Sequence, residues 1–196
     1  MSASVVQICN MALLKFGDVT IVSLDDATRE GRACKVFYPL LRDQLVYAHP
    51  WNFAMARADI SAQLTDTPAF GYDYAYTVPA DCLRVWELYG SSEWEIEADR
   101  LLTNQEEEIY IRYIKQVTET GRFSPAFERC LSTLLGAELA AKIKGDKNHR
   151  LALLEELNKI DLPAARQLNA IEGNRPRHTD EQALDAGNFS WQKEGR

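Results

Sequence analysis

Three glutamates alternate along one short segment, and they are the residues of this chain best suited to acid–base chemistry. They are Glu93, Glu95 and Glu97. A pair of carboxylates hydrolyses glycosides, with one group as acid and the other as nucleophile or base. Glutamates that alternate with Trp94 and Ile96 are, however, the pattern expected of a half-buried strand whose charged residues face solvent. We favour the solvent-facing interpretation, and three further glutamates at 106–108 precede another apolar segment.

The cysteines and histidines follow no pattern typical of a metal site or a nucleophile. They are Cys9, Cys34, Cys82 and Cys130, and His49, His149 and His178. The sequence holds no CxxC pair, HExxH motif, GxSxG elbow or glycine-rich phosphate loop. We therefore expect no catalytic residue, no cofactor and no metal, and we interpret the cysteines as small core residues.

Composition and charge narrow the class of protein. The chain has 196 residues, of which 46% are hydrophobic, and its net charge is −7. This size suits one compact domain or two small ones built around a shared core. The acidic balance argues against general nucleic-acid binding through phosphates, although it allows a surface past which DNA slides. No apolar run is long enough to cross a bilayer and no signal peptide is recognisable, so we expect synthesis in the cytoplasm.

The pattern of apolar residues changes within residues 41–60, LRDQLVYAHPWNFAMARADI. Before this stretch apolar residues recur at helical spacing, and after it they alternate. Pro50 lacks an amide hydrogen and disfavours helix at the residue before it, so a helix should end near Ala48. Large aromatic anchors follow directly. We predict a joint between a helical layer and a sheet, formed by His49, Pro50, Trp51 and Phe53.

Two helices are predicted before this joint. Ser4 caps the first, which Gly17 ends. Asp25 or Asp26 is expected to cap a second helix that begins near Ala27.

Prolines and a glycine mark the other helical features. Pro39 should kink the second helix, since the apolar register resumes beyond it. Ser124 as cap and Pro125 at the first position start a third helix, which Gly145 ends. A fourth helix follows, and Pro163 should bend it.

Between the helical segments, four or five antiparallel strands are predicted in the order of a meander. The strands are 70–79, 82–90, 93–98 and 108–117, with 53–64 as a fifth, and 99–107 is a crossover. One face of the first should carry Tyr72, Tyr74, Tyr76 and Val78.

The predicted fold class is α+β, a four-helix bundle-like domain with an inserted antiparallel β domain. The helical domain comprises 1–51 and 120–172, and the β domain comprises 52–119. Residues 173–196 form a flexible C-terminal tail, whose isolated aromatic residues suggest either docking onto a partner chain or simply a disordered end. The docking candidates are Arg175, Arg177, Leu184, Phe189 and Trp191.

Several segments, in order, resemble the tail tubular protein A family of short-tailed bacteriophages. They are LLKFGD, IVSLDD, ACKVFYPLLRDQLVYAHPWNFAMAR, VPADCLRV and IYIRYI. The likeness covers about residues 4–170. Its most specific parts are HPWNFAMAR (49–57), YDYAYTVPADCLRV (72–85) and IYIRYI (109–114).

The resemblance implies a structural virion protein of the tail and neck rather than an enzyme. Adaptors of this family form a twelve-subunit ring beneath the portal protein, carry the tail nozzle protein below, and extend the channel through which DNA leaves the head. It implies as partners the portal, the nozzle and other copies of the chain, with DNA passing unbound. Two alternatives remain open: a glycan hydrolase of host-cell entry that uses the alternating glutamates, and a bacterial protein-interaction module without a phage role.

Overall fold

Helices form the first and last parts of the chain, and strands form its middle. The computed structural model describes residues 3–65, 68–90 and 93–172. The helices are α1 (Val5–Leu14), α2 (Arg29–Ala48), α3 (Pro125–Leu139), α4 (Lys147–Glu156) and α5 (Leu162–Glu172). The strands are β1 (Met55–Asp59), β2 (Tyr74–Thr77), β3 (Cys82–Leu88), β4 (Trp94–Glu97), β5 (Arg100–Thr103) and β6 (Tyr110–Lys115). The predicted α+β class is confirmed, as is an extra strand within 53–64.

The strands form two antiparallel sheets of three rather than a meander. Sheet one has the order β1-β6-β3 and sheet two the order β2-β5-β4. The predicted crossover is wrong, since it contains β5, the central strand of sheet two. Glu97 pairs with Arg100 across a two-residue turn, in which Ala98 has a φ of 55°. Because glycine usually supplies a positive φ, the sequence carries no clear signal for this turn.

Sheet one is apolar on both faces and separates two cores. Ile114 of β6 and its pair Met55 of β1 contact the helical core. Ile111 and Tyr113, on the other face of β6, pack with Val85 in a second core that sheet two closes. The layers are therefore helices, sheet one and sheet two. Tyr74, Tyr76 and Val78 all contact the second core, as their alternation predicts.

Three predicted helix ends are confirmed. Ser4 accepts a hydrogen bond from the Gln7 amide, while the Gln7 side chain accepts one from Ser4 in return. Ser124 caps α3 and Pro125 occupies its first turn. Gly145 has a φ of 70°, which suits the left-handed end of the helical segment after α3.

The predicted aspartate cap of α2 is wrong. Thr28 is the cap, and its hydroxyl accepts from the Gly31 amide. The Asp26 carboxylate instead accepts from the amides of Val22 and Ser23, which shapes the connector. Because α2 begins at Arg29, the capping position falls on Thr28, two residues after Asp26.

The two internal prolines have different consequences. Around Pro39, α2 continues as one helix to Ala48. Near Pro163 the predicted fourth helix becomes α4 and α5, joined by a π-helical turn over Leu157–Asp161. There the Leu162 amide donates to the Leu157 carbonyl, five residues back, directly before the proline that has no amide hydrogen.

The cysteines are packing residues in most positions, as predicted. Cys9, Cys34 and Cys130 are fully buried in the helical core. Cys82 in β3 is half-buried, so the prediction is only partly met there. Burial raises the pKa of the Cys130 thiol to about 12, which keeps it protonated at neutral pH.

Candidate interaction surfaces

The predicted joint, hereafter the seam (His49, Pro50, Trp51 and Phe53), is an aromatic cluster. The Trp51 side chain is fully buried, and its indole N–H donates to the Leu45 carbonyl of α2 at 3.0 Å. Its ring lies 4.8 Å from the His49 ring and 5.2 Å from the Phe127 ring of α3, edge to face in both pairs. Phe53 stacks on Trp51 and also contacts Phe127. The seam therefore fixes α2, α3 and the start of β1 to each other.

Helix α5 is the fourth element that contacts the seam, and it does so through Asn169. This role of Asn169 was not predicted from the sequence. The Asn52 amide donates to Asn169 Oδ1 at 2.8 Å, and Asn52 Nδ2 donates to the Asn169 carbonyl at 2.6 Å. Asn169 Nδ2 donates to the Pro50 carbonyl at 3.3 Å and lies 3.4 Å from His49 Nε2. A lone asparagine in a helical pattern gives no signal of such a role.

The environment of His49 favours its neutral form. Burial lowers the pKa of the imidazole, and the positive charges of Arg166 and Arg84 lower it further. The contact with Asn169 Nδ2 suits a neutral ring in which Nε2 accepts the hydrogen bond. The surroundings of His49 thus fit an architectural residue, as the sequence predicts.

Helix α2 has a second apolar face, which is exposed at Val36, Leu40 and Tyr47 and half-buried against the edge of the helical core at Ala33 and Phe37. We call it the outer stripe; its residues are Ala33, Val36, Phe37, Leu40 and Tyr47. Spacings of three, four and seven residues place them along one side of a helix. The exposed fractions of Val36 and Leu40 are 58% and 63%. Such an outward apolar face is typical of a binding surface rather than of a solvated helix.

A groove with a cationic rim lies at the N-terminal end of the outer stripe. Its volume is about 240 Å³, and we call it the basic groove. It is lined by Arg29, Arg32, Ala33, Val36, Phe37, Lys142 and Ile143. Arg29 donates to the carbonyl oxygens of Lys142 and Ile143, which ties α2 to the segment after α3. The groove is too small for a typical drug-sized ligand, but it can take one or two apolar side chains.

Aromatic residues also cluster on sheet one beside the C-terminal end of α2. The Arg84 guanidinium lies 5.1 Å from the Tyr47 ring centroid and 5.0 Å from that of Trp86. Trp86 remains 40% exposed, and exposed Tyr89 and Tyr110 pack against each other on the same sheet. This second exposed surface, the sheet-one aromatics (Trp86, Tyr89 and Tyr110), was not singled out from the sequence.

The alternating glutamates lie on β4, an edge strand of sheet two. Glu93, Glu95 and Glu97 are exposed, while Trp94 contacts the second core. Their exposure agrees with the solvent-facing interpretation. Ile96, which we expected to be buried, is 39% exposed.

The predicted docking residues of the tail, Arg175, Arg177, Leu184, Phe189 and Trp191, lie outside the described residues. Within the described part of the chain, three or more histidine, cysteine, aspartate or glutamate side chains nowhere group to hold a metal ion. Among the same residues, none of the helices has both the length and the apolar character of a membrane span. No protein-family model matches the chain, and no curated protein matches it either.

Proposed function

We propose that this chain is a head-to-tail adaptor of a short-tailed bacteriophage, similar to the tail tubular protein A family. In this proposal it forms a ring beneath the portal protein, carries the tail nozzle, and extends the channel for DNA ejection. It is a structural virion protein that catalyses no reaction.

The position of the family-like segments carries the proposal. The segment 49–57 supplies the seam and enters β1, 72–85 runs from before β2 into β3, and 109–114 overlaps β6. The strands β1, β3 and β6 are distant in sequence, yet together they make up sheet one. The segment 72–85 also contains β2 of sheet two. Resemblances that meet in sheet one and its joint to the helices, and extend into sheet two, are better explained by a shared structural unit than by unrelated local similarities.

The layered arrangement supports a domain organisation suited to a ring subunit. In the proposal, residues 1–51 and 120–172 act as a helical domain, and 52–119 act as an inserted β domain. The seam would then set the angle between them, because Trp51 and Asn169 bind elements from both sides. In a ring, this angle decides how each subunit meets the next.

Two exposed surfaces are available for the contacts that a ring needs. A closed ring of identical subunits uses two different patches of each subunit, one for each neighbour. The outer stripe meets the sheet-one aromatics at Arg84, which contacts Tyr47 and Trp86, but its Val36 end lies eleven residues, or about 16 Å, further along α2. The Val36 end and the sheet-one aromatics are therefore separate patches, and both expose large apolar side chains. Exposed apolar surfaces of this kind commonly form protein–protein interfaces.

The acidic charge fits a channel through which DNA moves. The net charge is −7, and exposed glutamates gather in β4 and in the loop before β6. A wall with this charge repels phosphates instead of holding them.

Electron microscopy of the full chain mixed with its portal protein tests the proposal. We expect a ring of this chain stacked coaxially on the portal. Mixing the chain with a portal from a distant phage serves as the control for non-specific stacking. If the chain and its own portal stay separate at micromolar concentrations, the adaptor role is wrong.

Deletion of residues 174–196 tests the part assigned to the tail. The residues of both described cores lie at or before Ala165, so we expect an unchanged fold. Binding to the portal should weaken, as measured by co-sedimentation. Normal assembly of the truncated chain onto portals would contradict docking by the tail.

A further inference from the structure

The basic groove combines an apolar floor with positive charge. Ala33, Val36, Phe37 and Ile143 supply the floor, and Arg29, Arg32 and Lys142 supply the charge. A fitting occupant is an acidic segment with bulky apolar side chains, because it satisfies both features at once.

The C-terminal part of this same chain contains such a segment. Residues 180–191, DEQALDAGNFSW, hold three acidic residues and no lysine or arginine. They also hold three bulky apolar side chains, Leu184, Phe189 and Trp191. Composition and charge thus match the groove.

The described chain ends within reach of the groove. Asn169, in the last turn of α5, contacts Pro50 at the C-terminal end of α2. Val36 lies twelve residues before Ala48 on α2, a distance of about 18 Å along a helix. From Glu172 to Leu184 the chain also has twelve residues, which span up to about 40 Å when extended. The outer stripe, through Leu40 and Tyr47, connects the two places along one face.

We propose that residues 180–191 bind in the basic groove of their own chain, with one or two of their bulky apolar side chains on the floor and their carboxylates facing Arg32 and Lys142. Attachment to α5 gives the segment a high effective concentration at the groove, which favours its own chain over a neighbour. This inference goes beyond the adaptor role and requires no portal.

Cross-linking in the full-length chain tests the contact. The variant Val36→Cys with Ala186→Cys places one thiol in the groove and one in the segment, and keeps all three bulky apolar residues of the segment. With a short thiol-reactive cross-linker, we expect a link within one chain, identified by mass spectrometry, at a rate independent of protein concentration. The chain with Ala186→Cys alone controls for reaction with the native cysteines.

A matched control uses an exposed apolar position in an acidic setting. Ile96→Cys replaces Val36→Cys, and we expect its link to Ala186→Cys to form at least about tenfold more slowly, since like charges on β4 repel the segment. Equal rates for the two pairs would overturn the proposal. Links formed only between chains, at a rate that rises with concentration, would also overturn it and would assign the groove to a neighbour's segment.

Charge reversal tests the source of the specificity. Arg32→Glu with Lys142→Glu should slow the Val36–Ala186 link about tenfold, as expected for two lost ion pairs at a partly exposed site. Arg29 is left unchanged because its bonds to the carbonyl oxygens of Lys142 and Ile143 tie α2 to the segment after α3, whereas Arg32 donates only locally, to the Ala27 carbonyl just before its own helix. Adding Asp180→Lys with Asp185→Lys should restore the rate. With thermal melting unchanged, a rate unaffected by the reversal would exclude the proposed contact.

Discussion

The seam and the outer stripe of α2 are built from similar residues, yet they differ in what covers them. Both combine apolar or aromatic side chains with nearby arginines. At the seam, Trp51 is fully buried by α2, α3 and its own neighbours, whereas Leu40 on the stripe is 63% exposed. Apolar surface stabilises a fold only where folding removes it from water. Burial of the seam therefore stabilises the fold. The exposed side chains of the outer stripe contribute a comparable free energy only when a binding partner covers them.

The largest effect should come from the seam itself. Trp51→Ala removes a buried indole, its hydrogen bond to Leu45 and its contact with Phe127. We expect the free energy of unfolding in urea to fall by about 3–5 kcal/mol.

Trp86→Ala is the matched control, because this tryptophan is partly exposed on sheet one and contacts Arg84. Its loss should be about 1 kcal/mol or less. Similar losses in the free energy of unfolding for the two variants would mean that Trp51 stabilises the fold no more than the partly exposed Trp86 does.

The sequence predicts the seam better than the surfaces around it. Pro50 and the aromatic residues after it signal a helix end through local backbone sterics, so the joint is visible in one short stretch. The pairing of β6 with both β1 and β3 joins segments far apart in the chain, and no local pattern encodes such an order. The turn at Ala98 was missed for a related reason, since its positive φ is imposed by strand pairing rather than by a glycine.

The exposure of the outer stripe likewise depends on tertiary packing, which no local sequence pattern encodes. The outer stripe has the spacing of a core-facing stripe, and α2 carries a second stripe through Cys34, Tyr38 and Leu41 that is buried. From sequence alone the two faces merge into one broad apolar face. Only packing against α3 decides which face is covered.

Asn169→Ala should produce the next largest loss. It removes the acceptor for the Asn52 amide and the donor to the Pro50 carbonyl, and leaves the backbone carbonyl of residue 169, which accepts from Asn52 Nδ2, as the remaining polar contact of this residue with the seam. We expect a decrease of about 1–2 kcal/mol in the free energy of unfolding. Gln167→Ala, at an exposed position on the same helix, should stay within about 0.5 kcal/mol of the unmodified chain. A neutral Asn169→Ala would show that the side-chain hydrogen bonds of Asn169 do not help to hold α5 at the seam.

The pH dependence of stability should report on His49, with a smaller effect because the ring is only half-buried. Its pKa in the folded chain is lowered, so the unfolded chain binds a proton at a higher pH than the folded chain does. Stability is then fully present above the unfolded pKa, about 6.5, and decreases as the pH falls below it towards the folded pKa.

Urea unfolding between about pH 7.5 and 5.5, a window around that ordinary histidine value, measures this effect. We expect the unmodified chain to lose more stability over this interval than His49→Gln, which cannot titrate there. Carboxylates with lowered pKa values, such as Asp81, titrate at lower pH and are common to both proteins. Parallel pH profiles would mean that burial and the positive charges of Arg166 and Arg84 do not lower the pKa of the ring in the folded chain.

The smallest change in the free energy of unfolding is expected for a substitution on the outer stripe. It directly tests whether the stripe, unlike the seam, contributes little to stability. Leu40 and Leu41 are adjacent on α2, but Leu40 faces outward and Leu41 is buried in the helical core. Leu40→Gln should change the free energy of unfolding by no more than about 0.5 kcal/mol, whereas Leu41→Gln should cost at least about 2 kcal/mol. Comparable losses would place the outer face of α2 among the stabilising layers of the fold, and its apolar surface could no longer be assigned to recognition.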